Sequence, residues 1–366
     1  MTTDPSVQRR VFKDPALDEA FHADGYVLMP WFGPDEVADL LERFAQLGDP
    51  DRFGKEGFLA DVELDDVAYK WKVFELLSEA YAPKMQQVLD DYVPFLATYI
   101  TKAPGADSDM SLHQDWNFID ERRFRSAFIW TPLVDTSAAL DNGPIYIAAG
   151  THQLDTLRGG GTLLPIWDGF GGVLEHAGLR CLDVAAGDAV IWDPAVAHYS
   201  SPNRSDQGRP VTLLATVPRE ADLCFFFGEA DGKVTRVEAD AELFIEHSMP
   251  ALAQGVPEGA RSTVLQDDRG PLTEDEIVDC CAARGLIDPA LVRGDEASDV
   301  ATDVDVEPVE SGPIEPEPFE EPPLTVSEGP ADTSEATPTP TPMARSLATR
   351  AVRKAKRVLR GSSARS

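Results

Sequence analysis

Between Pro94 and Pro218 the chain is a succession of short β-type runs cut by turn residues, and this spacing constrains the fold more than any other feature of its 366 residues. The runs are Phe95–Thr101, Ser126–Val134, Pro144–Ala149, Leu179–Val184, Ala189–Trp192 and Val211–Val217, broken at Pro104-Gly105, Asp141-Asn-Gly-Pro144 and Ala186-Gly-Asp188. Short strands at this spacing predict a sandwich or barrel. The segment before them is mixed. Gly25–Pro30 is strand-like, and Pro34–Leu47 puts Val37, Leu40, Leu41 and Phe44 on one face of an amphipathic helix with Pro34 in its first turn. Trp71–Asp91 predicts one or two further helices, with Pro83 inside the run. Beyond Pro218, Leu223–Phe227 and Val234–Val237 flank Asp231-Gly232 as a β-hairpin. Thr273 and Glu276 form a capping box ahead of Ile277.

With 43% hydrophobic and 26% charged residues, the chain is neither wholly disordered nor collagen-like. Its net charge of −32 is unevenly spread. Setting aside fourteen acids in 294–342 and eight bases in 343–366 leaves −26 on residues 1–293, a body that repels a phosphate backbone. Nucleic acid is therefore not expected as its partner. Residues 294–342 are rich in Pro and acids and too poor in large apolar side chains to offset the entropy of ordering, so a disordered linker is expected there. In the basic tail, 343–366, Leu347, Ala351, Val352, Ala355, Val358 and Leu359 share one face of a short basic amphipathic helix. Such a helix can make weak contact with an anionic membrane or a partner. No apolar run approaches the roughly 18 residues of a membrane span, and Met1–Arg10 lacks a secretory h-region. A cytoplasmic protein is expected, possible peripheral contact through the tail aside. The four cysteines show no zinc-type spacing and fit reduced thiols.

Among six histidines, His113 stands in an H-x-D pair with Asp115, which a strand would turn to one face. His198 follows a predicted strand and the Asp193-Pro194 turn, with Arg209 eleven residues on. Two imidazoles and one carboxylate on one side of an ion form the ligand set of non-heme Fe(II) oxygenases, leaving the other positions open. An isolated H-x-D is weak, and the same pair occurs as a hydrogen-bonded surface feature.

The neighbourhood adds specificity. Asp24-Gly-Tyr-Val-Leu-Met-Pro30, Leu112-His-Gln-Asp-Trp116, Trp130, Asn142-Gly-Pro-Ile145, Ala149-Gly-Thr-His152, Gly187-Asp188, His198-Tyr-Ser-Ser-Pro-Asn203 and Arg209-Pro210 occur in the order of one family. Over residues 15 to 240 the sequence resembles the phytanoyl-CoA dioxygenase-like branch of the Fe(II)/2-oxoglutarate dioxygenases. The resemblance implies a mainly β fold with flanking helices around a double-stranded β-helix, or jelly-roll, of about 94–220 within a dioxygenase domain of 1–240. A small, mostly helical extension, 241–293, precedes the linker.

It further implies that His113, Asp115 and His198 ligate Fe(II). Arg209 would bind the remote carboxylate of 2-oxoglutarate, Ser200 would add a hydroxyl, and Gln114 and Trp130 would line the cosubstrate pocket. The implied reaction consumes 2-oxoglutarate and O₂, releases succinate and CO₂, and hydroxylates a C–H bond of a small-molecule or carrier- or envelope-linked metabolite. Asp115 stands where halogenating relatives carry a small residue, which favours hydroxylation. Ala149 replaces a proline usual in the family's turn and leaves the ligand set intact. Two other readings remain open at this point: a jelly-roll binding module without turnover, and a tethering protein whose function lies in the basic tail.

The other conspicuous residues have plainer roles. His152 is expected to brace its own loop, and His22, His176 and His247 to lie on the surface. Asn203-Arg-Ser205 is an accidental glycosylation sequon. Arg122, Arg123 and Arg125 form a solvated turn or an anion site, and Trp116 and Phe118 rim a substrate pocket or join the core.

Overall fold

The computed structural model describes residues 9–47, 57–154, 156–163, 179–265, 273–283, 285 and 287–289. The linker 294–342, the tail helix expected at 347–360 and His176 lie outside these residues.

The front segment folds as α1 (Pro15–Asp24), β1 (Tyr26–Pro30), α2 (Pro34–Gln46), β2 (Phe58–Ala60) and α3 (Val67–Val88). Each helix start has a local cause. The Asp14 carboxylate accepts from the Ala16 N–H, that of Asp66 accepts from Tyr69, and the Glu36 side chain reaches back to the Gly33 N–H at 2.8 Å. The run around Pro83 is one helix: buried Val73, Phe74, Leu77, Tyr81 and Met85 hold it on both sides of the proline, where one backbone hydrogen bond is lost.

The strands that follow are β3 (Tyr92–Lys102), β4 (Met110–His113), β5 (Ala127–Pro132), β6 (Ile145–Ala148), β7 (Gly160–Gly161), β8 (Arg180–Leu182), β9 (Asp188–Trp192), β10 (Ala197–Ser200), β11 (Arg209–Pro218), β12 (Cys224–Gly228), β13 (Val234–Glu238) and β14 (Ser262–Leu265). They form a six-stranded sheet in the order β1-β9-β5-β11-β3-β2 and a four-stranded sheet β4-β10-β6-β8. A smaller sheet, β14-β13-β12-β7, contains the hairpin expected around Asp231-Gly232.

Alternation along the strands divides the apolar residues between two cores. Ala127, Ile129, Ala189, Ile191 and Leu214 turn one face of the large sheet toward α1, α2 and α3. Phe128, Trp130, Val190, Trp192, Val211 and Ala215 turn the other face toward Ile145, Ile147 and Leu182 of the four-stranded sheet. The fold is thus mainly β, two facing sheets with helices on one side, in a jelly-roll-like arrangement. In the segment 241–293, Phe244 and Leu252 enter the inner core, and Ile277, Val278 and Cys281 pack against Ala148 of β6 and Ala197 of β10. Thr273 caps that last helix, as its capping box predicts. No helix among the described residues is long and apolar enough to cross a membrane.

Several minor expectations change. Phe118 is 3% exposed and packs its ring against Phe95, Phe128 and Phe244, so it belongs to the core and not to a pocket rim. Asn203 is fully buried, its amide donating to the carbonyls of Lys102 and Gln207, which leaves no nitrogen for a glycan. His152 is buried with Nε2 at 3.1 Å from the His22 carbonyl, tying its loop to the end of α1. His22 is itself only part-exposed, beside Asp18 at 3.7 Å.

Gly187 connects the layers. Its carbonyl accepts from the Trp31 and Phe32 N–H groups at 3.1 and 2.8 Å, and its N–H donates to the Pro132 carbonyl at 2.9 Å. Its φ is +88°, and a Cβ there would stand 2.5 Å from the Phe32 carbonyl oxygen. Gly187→Ala should therefore cost about 1–2 kcal/mol from the left-handed backbone alone, with the clash added. Urea denaturation reads this as a lowered midpoint at unchanged slope; an unaltered midpoint would mean that the turn relaxes freely.

Candidate metal centre

Both histidines of the H-x-D…H set sit on the four-stranded sheet. His113 ends β4, His198 lies in β10, and the two are directly paired across the ladder. Their rings approach to 4.3 Å between centroids. Asp115 is beyond the strand, so the period-of-two expectation does not orient it. Instead its N–H donates to the Pro194 carbonyl at 2.8 Å, and its Oδ2 accepts from Trp192 Nε1 at 3.2 Å. The carboxylate thereby stands 3.7 Å from His113 Nε2 and 3.9 Å from His198 Nε2. One ligand atom from each of the three lies within 4.8 Å of the others.

The ring nitrogens are sorted by their partners. His113 Nδ1 lies 2.7 Å from the Ser111 carbonyl, and His198 Nδ1 lies 3.0 Å from the Val196 carbonyl. A carbonyl only accepts, so each Nδ1 carries a proton and Nε2 is the ring nitrogen left for an ion. Burial, reinforced by the adjacent His113 ring, pushes the His198 pKa down to about 4, leaving a neutral imidazole at physiological pH. Two neutral imidazoles and one carboxylate fit a divalent ion of the Fe(II) type.

Beside this set, the large sheet contributes a cationic pocket. Arg209 opens β11, is 1% exposed, and holds its guanidinium carbon 5.4 Å over the centre of the Trp130 ring. Its Nε and Nη1 are buried and meet no acceptor among the described residues. Burial lowers its pKa to about 9, still above neutral, so the positive charge stays. Lys102, directly opposite Arg209 in the β11–β3 ladder, is also fully buried, and its ammonium donates to the Ser200 and Ser201 carbonyls at 2.8 and 2.6 Å. Burial, and then the neighbouring Arg209 charge, push its pKa down to about 7. A buried guanidinium that keeps its charge and has Nε and Nη1 open matches an anionic carboxylate.

The remaining expected residues divide. Ser200 is buried two residues beyond His198 on the same side of β10. Trp130 is buried under Arg209. The Gln114 amide donates to the Ala195 carbonyl at 2.6 Å, which ties the segment carrying Asp115 to the turn that precedes β10 and His198. Two residues escape sequence reasoning. Trp192 is the fifth residue of an apolar strand, and its hydrogen bond to Asp115 and its ring 4.9 Å from that of His198 depend on the second sheet folding over it. Lys102 ends a strand where a lysine would ordinarily be solvated.

Trp192→Phe keeps the ring and deletes the donor to Asp115. Affinity for Fe(II), measured anaerobically by calorimetry, is expected to fall about tenfold or more with the fold intact, the usual cost of an outer-shell partner. An unchanged affinity would leave the Asp115 carboxylate without need of this hydrogen bond.

A model of the phytanoyl-CoA dioxygenase (PhyH) family matches residues 21–211, more than half of the chain. Comparison with curated proteins gives no match. Among solved structures, the chain is similar to EvdO2 from Micromonospora carbonacea var. aurantiaca complexed with 2-oxoglutarate, at 21% identity over 57% of this chain and 94% of that one, TM-score 0.42. It is also similar to HygX from Streptomyces hygroscopicus with nickel, 2-oxoglutarate and hygromycin B bound, at 17% identity over 56% and 87%, TM-score 0.41. A third, EctD from S. alaskensis in its apoform, shows 20% identity over 60% and 84%, TM-score 0.43. On the match over residues 21–211, the chain belongs to the phytanoyl-CoA dioxygenase (PhyH) family, the Fe(II)- and 2-oxoglutarate-dependent oxygenases that its ordered motifs resemble.

Proposed function

We propose that this chain hydroxylates a C–H bond of a small-molecule or carrier-linked metabolite from a double-stranded β-helix whose iron ligands are His113, Asp115 and His198. One observation carries the reading. A converging His-Asp-His set lies next to a buried arginine whose Nε and Nη1 meet no acceptor among the described residues. A binding module without turnover has no need of both.

Bound by this set, Fe(II) supplies the redox chemistry that couples decarboxylation of 2-oxoglutarate, to succinate and CO₂, with oxidation of the substrate by O₂. The chain's own part is placement. Arg209 offers a planar fork to the remote carboxylate of 2-oxoglutarate, the Trp130 ring lies against the guanidinium, and Ser200 would add a buried hydroxyl. Lys102 holds the strand end that carries Ser200 through the Ser200 and Ser201 carbonyls. Asp115 offsets one of the two charges of the ion, and Trp192 keeps its carboxylate facing the histidines. The apolar inner face, Val190, Val211 and Trp130, excludes water from this end of the sheets.

The substrate is proposed not to be an acyl-CoA. Its phosphates would meet a body at −26, and the arginines that could compensate do not converge. Arg125 turns inward to Asp193 at 3.4 Å, Arg122 pairs with Asp120 at 3.0 Å, and Arg123 lies over the Phe124 ring. Trp116, half-buried and stacked on Phe225, is the aromatic side chain left to meet a substrate on this segment.

Anaerobic titration with Fe(II) and then 2-oxoglutarate, followed by succinate measurement under air across a substrate panel, tests the reading. Wild-type protein should bind both, and His113→Ala and Asp115→Ala should lose iron-dependent turnover. Arg209→Ala should keep iron and bind 2-oxoglutarate about ten- to over one-hundredfold more weakly, as expected for loss of a charge-assisted pair of roughly 1.5–3 kcal/mol. Failure of the wild type to bind iron and 2-oxoglutarate would sink the proposal, and unaltered affinity in Arg209→Ala would remove Arg209 from the cosubstrate site.

A further inference from the structure

Arg158 is among the most completely buried large side chains of the molecule, at 1% exposed, although it lies in a loop and far in sequence from the H-x-D motif. All three of its guanidinium nitrogens are engaged. Nε donates to the main-chain carbonyl of Asp115 at 2.7 Å, Nη1 to the Thr156 carbonyl at 3.1 Å, and Nη2 to both carboxylate oxygens of Glu121 at 2.7 and 2.6 Å. Its backbone is tied to the same segment: its N–H donates to Asn117 Oδ1 at 2.6 Å, and its carbonyl accepts from the Asn117 N–H at 3.2 Å. Every one of these bonds except that to Thr156 lands between Asp115 and Glu121.

The three glycines that follow explain how an arginine reaches so deep. A Cβ at Gly159 would lie 2.0 Å from the Phe226 carbonyl oxygen, one at Gly160 would lie 2.9 Å from Ala253 Cα, and one at Gly161 would lie 2.2 Å from the Gly228 carbonyl oxygen. Side chains being excluded there, the loop lies flat on β12, to which Gly160 and Gly161 pair in parallel. Arg158 thus enters the interior from a rigid base.

We infer that Arg158 is a positioning residue for the metal centre, fixing the Asp115 peptide and thereby the approach of the Asp115 carboxylate to the ion. This rests on the proposed metal centre. Asp115 lies past the end of β4 and has no ladder partner, so three contacts set its place: the Pro194 carbonyl on its N–H, Trp192 on its carboxylate and Arg158 on its carbonyl. Glu121 completes the device by holding the guanidinium in plane. A lysine would keep the charge but could not bind Asp115, Thr156 and both oxygens of Glu121 at once.

The test is Co(II) binding to the full chain, followed by titration and by the d–d absorption bands that report coordination geometry. The His113→Ala protein serves as the control that defines the site. Arg158→Lys is expected to weaken Co(II) binding about tenfold or more and to shift the bands, with far-UV circular dichroism unchanged. Glu121→Gln, which frees the guanidinium without emptying its site, should move both readouts in the same direction by less, and it decides the matter if Arg158→Lys does not fold. Wild-type affinity and bands in the folded variants, even with a lowered melting temperature, would overturn the inference and leave Arg158 a purely structural residue. If the wild type itself bound no Co(II), or if His113→Ala bound it equally well, the metal-centre reading would fail, and this inference with it.

Discussion

The ten residue pairs between β11 and β3 are the constraint on which the rest of this structure depends. Strand geometry allows a side chain only two directions, and once this pairing is set, Arg209, Val211 and Leu213 face the four-stranded sheet while Thr212 and Leu214 face the helices. A slip by one residue would carry Arg209 to the helix side and put Gly208 or Pro210 opposite Lys102 in its place. Helix α3 resists such a slip, because the Tyr81 hydroxyl meets the Thr212 hydroxyl at 2.6 Å in a buried, apolar setting. The same register places Lys102 opposite Arg209, so the meeting of these two buried basic side chains is a property of strand alignment.

That alignment creates an electrostatic imbalance in a chain that is otherwise strongly acidic. Elsewhere a buried charge finds an opposite one: Arg158 has Glu121, and Arg125 has Asp193. Arg209 has no carboxylate beside it among the described residues, while Lys102 donates to two carbonyl oxygens and feels the charge of Asp109. Desolvating a cation without an acid partner is costly. Such a feature persists when a ligand brings the missing charge, the part proposed above for the carboxylate of 2-oxoglutarate.

The metal set follows a different logic, in which the backbone does most of the sorting. Carbonyls at Ser111 and Val196 each hold a histidine Nδ1 two residues on, so a local contact decides which nitrogen is free. Asp115 cannot be placed locally, being off the strand, and it borrows its position from Trp192 on the opposite sheet and from the loop that carries Arg158. The site is therefore rigid only when both sheets and that loop are in place.

What the sequence determined by itself is what local rules govern. The breaks at proline and glycine separate the strands of the two facing sheets, Val37, Leu40 and Phe44 mark the buried face of α2, and the order of motifs from Asp24 to Arg209 identifies the family. Single helix or pair around Pro83, Phe118 in core or rim, and Arg125 solvated or paired were decided only by packing, because each turns on neighbours distant in the chain. The same holds for Trp192, Lys102 and Arg158. As isolated residues they read as an apolar strand position, a strand end and a loop cation, and only tertiary packing, which removes water from all three, gives Trp192 and Arg158 their bonds to Asp115 and Lys102 its bond to the Ser200 carbonyl.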